Sequence, residues 1–239
     1  LEPDDKAQTA AQAFERYDLV SAPVVDKDRR LVGRVTVNAV VDYIRESTET
    51  EQLSRAGLRE GEDIFASVWD SVKNRWSWLA INLVTAFIAS RVIGAFEGSI
   101  EKLVALAALM PIVAGIGGNS GNQTITMIVR ALALGQVQQE SARVLLRKEI
   151  GVAMVNGLIW GSLLGFVAWW LYRSVALGAV MTAAMMLNLI VAATVGVAVP
   201  LLRQRLGYDP AIGSSVLITA VTDSGGFFIF LGLATLFLL

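Results

Sequence analysis

"GIGGNSGNQT", Gly115 to Thr124, lies at the centre of a stretch that otherwise has no reason to leave a membrane. From Val104 to Val129 no residue is charged, yet Asn119, Ser120, Asn122, Gln123 and Thr124 are threaded between Gly115, Gly117, Gly118 and Gly121. Pro111 removes one helical hydrogen bond and the glycines weaken the turns beyond it, so a helix loosened after Pro111 is predicted. Irregular, polar backbone at membrane depth is tolerated only where it is buried in protein or lines a water-filled cavity. Asn119 and Gln123 stand four apart, on one helical face, with Asn122 beside them. These amides are acceptors that add no charge.

The composition agrees with a membrane setting. Of 239 residues, 54% are hydrophobic and 17% charged, and the mean hydropathy is +0.57, too apolar for a soluble domain. There is no Cys and no His, which excludes disulfides, thiolate and imidazole metal sites and the usual catalytic triads. No enzyme activity and no nucleic-acid partner are expected. The net charge of −1 hides a split, with residues 1–75 at net −4 and residues 76–239 at net +3. The chain starts at Leu1 inside a charged segment, as a piece of a longer protein would.

Residues 1–46 read as a small mixed α/β unit. "KAQTAAQAFERY" has helical spacing, "APVV" and "LVGRVTV" are short strands around the charged turn "DKDRR", and "NAVVDYIRE" returns to helix. This order resembles most of one CBS motif. Residues 47–75 are polar and largely helical, with a break marked by Gly57 and Gly61, and read as a connecting helix. Residues 76–239 then hold five expected spans, at about 76–96, 103–129, 150–172, 176–202 and 210–238, each near the roughly 20 residues that cross the hydrocarbon core.

The flanking charges orient these spans. With the N-terminal part cytoplasmic, Lys73, Arg75, Arg130, Arg143, Arg147, Lys148, Arg203 and Arg205 lie inside, and the outer loops keep only Lys102 and Arg173. Arg91 can snorkel from the outer end of the first span. The N-terminus is therefore expected in the cytoplasm and the C-terminus outside.

Isolated polar residues within the spans, such as Asn82, Asn156, Thr182, Asn188 and Thr194, are accounted for by helix–helix hydrogen bonding, and the Gly and Ala residues of the third and fourth spans by close packing. Asp223, in "ITAVTDSGGFF", differs. It reads as the one acid deep in a span, where an Asp costs about 2.5–3.5 kcal/mol on insertion scales and calls for water, a partner or an ion. Thr219, Thr222, Asp223 and Gly226 share a helical face. The tripeptide Asp223-Ser224-Gly225 also matches dimeric aspartic proteases, but there it sits on a loop of a β fold and here inside an apolar helix.

"PIVAGIGGNSGNQTITMIVRALALG" and "DPAIGSSVLITAVTDSGGFFIFLGLA" resemble the signature segments of the MgtE family of magnesium channels and transporters. The resemblance implies a mainly α membrane protein of five transmembrane helices per protomer, preceded by a partial α/β CBS motif (1–46) and a connecting helix (47–75). It implies a homodimer in the lipid bilayer whose second and fifth helices line a central pore at residues 76–239. It also implies a hydrated Mg2+ ion near Asp223, and cytoplasmic Mg2+ as a regulatory ion that closes the pore through the connecting helix. On this basis the candidate metal-site residues are Asp223, Thr219, Ser215, Asn119, Gly118, Gln123, Asp209, Asp42 and Glu51. Relatives often have Asp-Asp where this chain has Asn38-Ala39, and some have Asn where Ser215 stands. Nucleotide binding at the CBS region is left open. Two other readings stand beside the channel: a proton- or sodium-coupled divalent carrier using Asp223, and a membrane-anchored CBS sensor that transports nothing.

Physical chemistry points the same way as the resemblance. Magnesium keeps several waters and binds through one or two carboxylates, which suits a wide pathway with few acids. One Asp per chain supplies −1, and a two-fold axis beside the fifth span supplies −2.

Overall fold

The computed structural model describes residues 1–55, 58, 65–133, 141–211 and 213–239, without the side chains of Glu51, Ser54 and Arg55. The chain forms two compact units, Leu1–Gly61 and Glu62–Leu239.

The first unit has the order α1 (Ala7–Tyr17), β1 (Ser21–Val25), β2 (Leu31–Thr36) and α2 (Val37–Arg55). The strands pair antiparallel, with Ser21 opposite Thr36 and Val24 opposite Gly33. The turn between them is built by Asp26, whose Oδ1 accepts from the backbone N–H of Asp28 (2.9 Å) and Arg30 (2.8 Å). Phe14, Ala22 and Val40 form its small buried core, one each from α1, β1 and α2.

The expected connecting helix of residues 47–75 is corrected at its end. α2 carries the chain to Arg55, Phe65–Ser67 is not helical, and a new helix, α3 (Val68–Ala95), starts at Val68. Ser67 stops the connector there. Its Oγ accepts from Asp70 N–H at 3.3 Å and donates to Asp70 Oδ2 at 2.6 Å, a capping arrangement that starts a helix rather than continuing one. The expected break at Gly57 and Gly61 falls outside the described residues.

The second unit continues with α4 (Glu97–Lys102), α5 (Ala105–Ala133), α6 (Ala142–Tyr172), α7 (Val175–Arg205) and α8 (Ser214–Leu238). Among the described residues, α3, α6, α7 and α8 are long and apolar enough to cross a membrane. α5 is also 29 residues long, about 43 Å at the usual helical rise, but its polar centre lowers its hydropathy. The helix loosened after Pro111 is not found, because α5 runs unbroken through Pro111 and the glycines. Its buried face, from Leu106 through Gly117, Gly118 and Gly121 to Leu132, packs on α7 and α8, and that packing outweighs the single lost hydrogen bond.

α7 is the centre of this unit, with α5, α6 and α8 all packed against it. Close approaches give the directions. Gly117, Gly121 and Thr124 of α5 meet Asn188, Ala192 and Gly196 of α7, so these helices run parallel. Gly118 and Gly121 meet Thr222 and Ile218 of α8, so α5 and α8 run antiparallel. On α6, Gly157, Gly161 and Gly165 recur every four residues against Met186, Thr182 and Gly178 of α7. In lipid the tails are as apolar as Leu, so close packing over small residues is what holds such helices together. The packing role expected for the glycines of the third and fourth spans is what the fold contains. A layer of Leu106, Leu109, Val113, Met181, Phe230 and Leu231 closes one end of the bundle.

Candidate functional site

The polar residues of α5 divide between two sides of the helix. Gly117, Gly118, Gly121 and Thr124 are buried, whereas Gly115, Asn119 and Gln123 are exposed. α8 divides in the same way. Thr222 and Gly226 are buried, Asp223 is half-buried and Thr219 is exposed. This corrects the single face expected for Thr219, Thr222, Asp223 and Gly226: two of the four point into the bundle and two toward its open side.

The seam sets the depth of each group. A Cβ on Gly118 would stand 3.5 Å from Thr222 Oγ1, so the next residue on each antiparallel helix, Asn119 and Asp223, stands on the same side of the seam, about 3 Å apart in depth at the usual helical rise. Farther along, Ser215 Oγ donates to Asn122 Oδ1 at 2.9 Å and ties the start of α8 to α5. Thr219 spends its hydroxyl on Ser215 O (3.0 Å) and Thr222 on Ile218 O (2.8 Å), so both satisfy their own helix. Among the described residues, the side chains of Asn119, Gln123 and Asp223 have no hydrogen-bond or ion-pair partner. Three polar groups thus stand free on the open side of the α5–α8 seam, at membrane depth.

The other candidates stand elsewhere. Asp209 lies in the turn before α8, where its Oδ1 accepts from Ala211 N–H (2.8 Å) and its carbonyl from Arg203 Nε (3.0 Å). Asp42 is exposed on α2, and Glu51 is on the same helix, its side chain not among those described. Among the described residues no three acids gather as a metal cluster.

One acid is not singled out by the sequence pattern. Glu149 lies in the second turn of α6, is 4% exposed, and its Oε2 accepts from Thr124 Oγ1 at 3.1 Å. Lys148 Nζ stands 3.6 Å from its other oxygen. Asp223 is therefore not the only acid held within the helical body. The span was expected to begin at residue 150, which left Glu149 outside, but α6 begins at Ala142. A signal was available: counting back by fours from Gly165 through Gly161, Gly157 and Ala153 reaches Glu149, on the same buried stripe.

Comparison with known proteins bears on this arrangement. Residues 110–233, more than half of the chain and both helices of the seam, match the family model MgtE, described as a divalent cation transporter. Residues 1–46 match the model of the CBS domain. Proteins named magnesium transporter MgtE are similar over nearly the whole chain: 35% identical in Thermus thermophilus over 98% of this chain, 31% in Bacillus subtilis over 97%, and 27% in Enterococcus faecalis over 98%. The matches cover 52%, 51% and 51% of those proteins, so the chain spans about half the length of the curated relatives it matches. With its long apolar helices and this match across the seam, the chain is a multi-pass membrane protein and belongs to the MgtE family of divalent cation transporters.

Proposed function

We propose that the chain conducts Mg2+ into the cytoplasm along the open side of the α5–α8 seam, with all five long helices spanning the membrane and a second copy completing the pathway. The observation that carries this reading is the pair Asn119 and Asp223 on one side of the seam, both without partners among the described residues. An unpaired carboxylate at membrane depth is costly unless water or an ion meets it. Mg2+ retains its inner waters, whose hydrogens suit acceptor groups such as Asp223, Asn119 and Gln123. One carboxylate is little charge for a divalent ion, and a two-fold axis beside α8 doubles it. The N-terminus is then cytoplasmic, as the excess of Lys and Arg at that end of the helices favours.

The acids Asp42, Glu46, Glu49, Glu51 and Asp70, with Glu60, Glu62 and Asp63 outside the described residues, supply the regulatory side of the proposal. In this proposal cytoplasmic Mg2+ bridges carboxylates of two copies, which draws the connectors together and closes the pathway. Titrating cytoplasmic Mg2+ against channel current should close it. Current indifferent to that titration would reduce these acids to a solvated tether.

The pathway itself is tested by Asp223→Asn, which keeps shape and removes charge. Magnesium uptake should be abolished while the protein still inserts as a dimer. Wild-type uptake from a well-expressed variant would refute the site, and uptake that tracks a proton or sodium gradient would replace the channel by a coupled carrier. The shared axis has its own test in this cysteine-free chain. Thr219→Cys, on the open side, should cross-link two protomers. Gly226→Cys should not, since a Cβ there would meet Asn188 Nδ2 at 2.7 Å inside the bundle. The reverse result would move the pathway to another face.

A further inference from the structure

Asn188 sits halfway along α7, fully buried, with 0% of its surface exposed. Isolated asparagines in apolar helices ordinarily serve as helix–helix glue. Three features set this one apart. Its Nδ2 donates to Val113 O of α5 at 2.9 Å, two residues beyond the proline that removes an N–H from the α5 ladder. Its Oδ1 is the one buried side-chain polar atom without a partner among the described residues. Its carboxamide lies between two glycine backbones, one from each helix of the proposed pathway. A Cβ on Gly117 would stand 2.9 Å from Asn188 Cγ, and one on Gly226 would stand 3.1 Å from the same atom.

Those glycines are placed with respect to the site. Gly117 is two residues before Asn119, and Gly226 is one turn past Asp223. The amide therefore lies inside the bundle, across α5 from Asn119 and about one turn along α8 from Asp223. Packing alone is served as well by an apolar side chain of the same volume, which would leave no orphaned oxygen. What Asn188 adds is a directional bond to α5.

Resting on the magnesium pathway proposed above, we infer that Asn188 is a positioning residue: it sets the spacing and register of α5 and α8, and hence the separation of Asn119 from Asp223, from inside the bundle. It touches no ion. The donor half of the amide fixes α5, and the two glycines let α5 and α8 close on it from opposite sides.

The test compares four variants of the full chain in liposomes for the Mg2+ concentration at half-maximal uptake, the maximal rate and the discrimination against Ca2+. Asn188→Leu keeps the number and branching of side-chain heavy atoms, with some added bulk, and loses the donor. It should raise the half-maximal concentration at least fivefold and weaken discrimination, with the dimer retained and transport counted per folded protein. Gly226→Ala should shift half-saturation and discrimination in the same direction by pushing the amide aside. In Asn188→Ala/Gly226→Ala the shortened residue 188 makes room, so the alanine at 226 should add nothing to the effect of Asn188→Ala alone. Additive effects in that pair, or Asn188→Leu with wild-type half-saturation and discrimination, would overturn the positioning role. Asp223→Asn run alongside separates the two levels: if it transports normally, the pathway reading fails, and if it is dead while Asn188→Leu is normal, only the role of Asn188 fails.

Discussion

The α6–α7 and α5–α8 seams are made from the same small residues and do different things. On α6, Gly157, Gly161 and Gly165 all face α7, and the seam is closed along its length by backbone against backbone. On α5, Gly117, Gly118 and Gly121 face inward in the same manner, but Gly115 meets open space and amides alternate with the glycines on the outer side. A glycine-rich helix is therefore two-faced when polar residues fall between the glycines. One face brings helices into contact, and the other leaves polar groups free at membrane depth.

Breaking each seam should give opposite symptoms. The largest effect is the loss of uptake in Asp223→Asn, on the open seam, with stability intact. Next comes Gly165→Ala on the closed one. Its new Cβ would lie 2.5 Å from the Gly178 carbonyl oxygen, which cannot move without shifting α7. Overpacking of this kind costs about 1–3 kcal/mol, so the unfolding midpoint should fall and transport per folded protein should not. Gly115→Ala is the counterpart on α5. With nothing within 4 Å of its Cβ, it should leave stability unchanged or raise it by up to about 1 kcal/mol. Equal destabilisation by the two alanines would erase the distinction between the seams.

Asn119→Leu probes the open face with a smaller effect. The amide makes no bond to the described residues, so its loss should cut Mg2+ flux several-fold at an unchanged thermal midpoint. Normal flux would return Asn119 to ordinary helix packing.

The range of the forces involved decides which features are legible in the sequence. The hairpin of residues 21–36 and the helices flanking it are legible because turn chemistry and periodicity are local. The long helices are legible from hydropathy, to within eight residues at their ends. Helix starts are the weak point, since α3 begins at Val68 behind the Ser67 cap with Asp70 in its first turn, and α6 begins at Ala142 with Arg143 in its first turn, charges that hydropathy counts against a span. The polar centre of α5 and Asp223 stand out because charge and amides are rare at that depth. Glu149 and Asn188 do not. Their meaning depends on Thr124, Gly117 and Gly226, which lie far along the chain and become neighbours only when α5, α6, α7 and α8 pack. The same holds for the division of Thr219 from Thr222, since helical spacing places residues on a face and only packing decides which edge of it is covered.

The smallest expected difference is between two threonine hydroxyls. Thr182 of α7 donates across the closed seam to Gly161 O at 3.0 Å, with Gly178 O of its own helix at 3.1 Å as the alternative acceptor. Thr222 of α8 has only acceptors on its own helix, Ile218 O at 2.8 Å and Thr219 O at 3.2 Å. Those carbonyls already accept from the helix ladder, so losing the hydroxyl from residue 222 leaves no acceptor bare. Valine matches threonine in shape and removes the hydroxyl in each case. Interhelical hydrogen bonds in membrane proteins average about 0.6 kcal/mol and reach about 1.7 kcal/mol. Thr182→Val should fall within that range, and Thr222→Val below it, because a hydroxyl back-bonded to its own helix contributes little to stability. Reversible unfolding in mixed micelles resolves such a gap when both variants are run with the parent. If Thr222→Val costs as much as Thr182→Val, the α5–α8 seam is held by that hydroxyl as firmly as α6 is held to α7, and the contrast between a closed seam and an open one would have to rest on the amides and Asp223 alone.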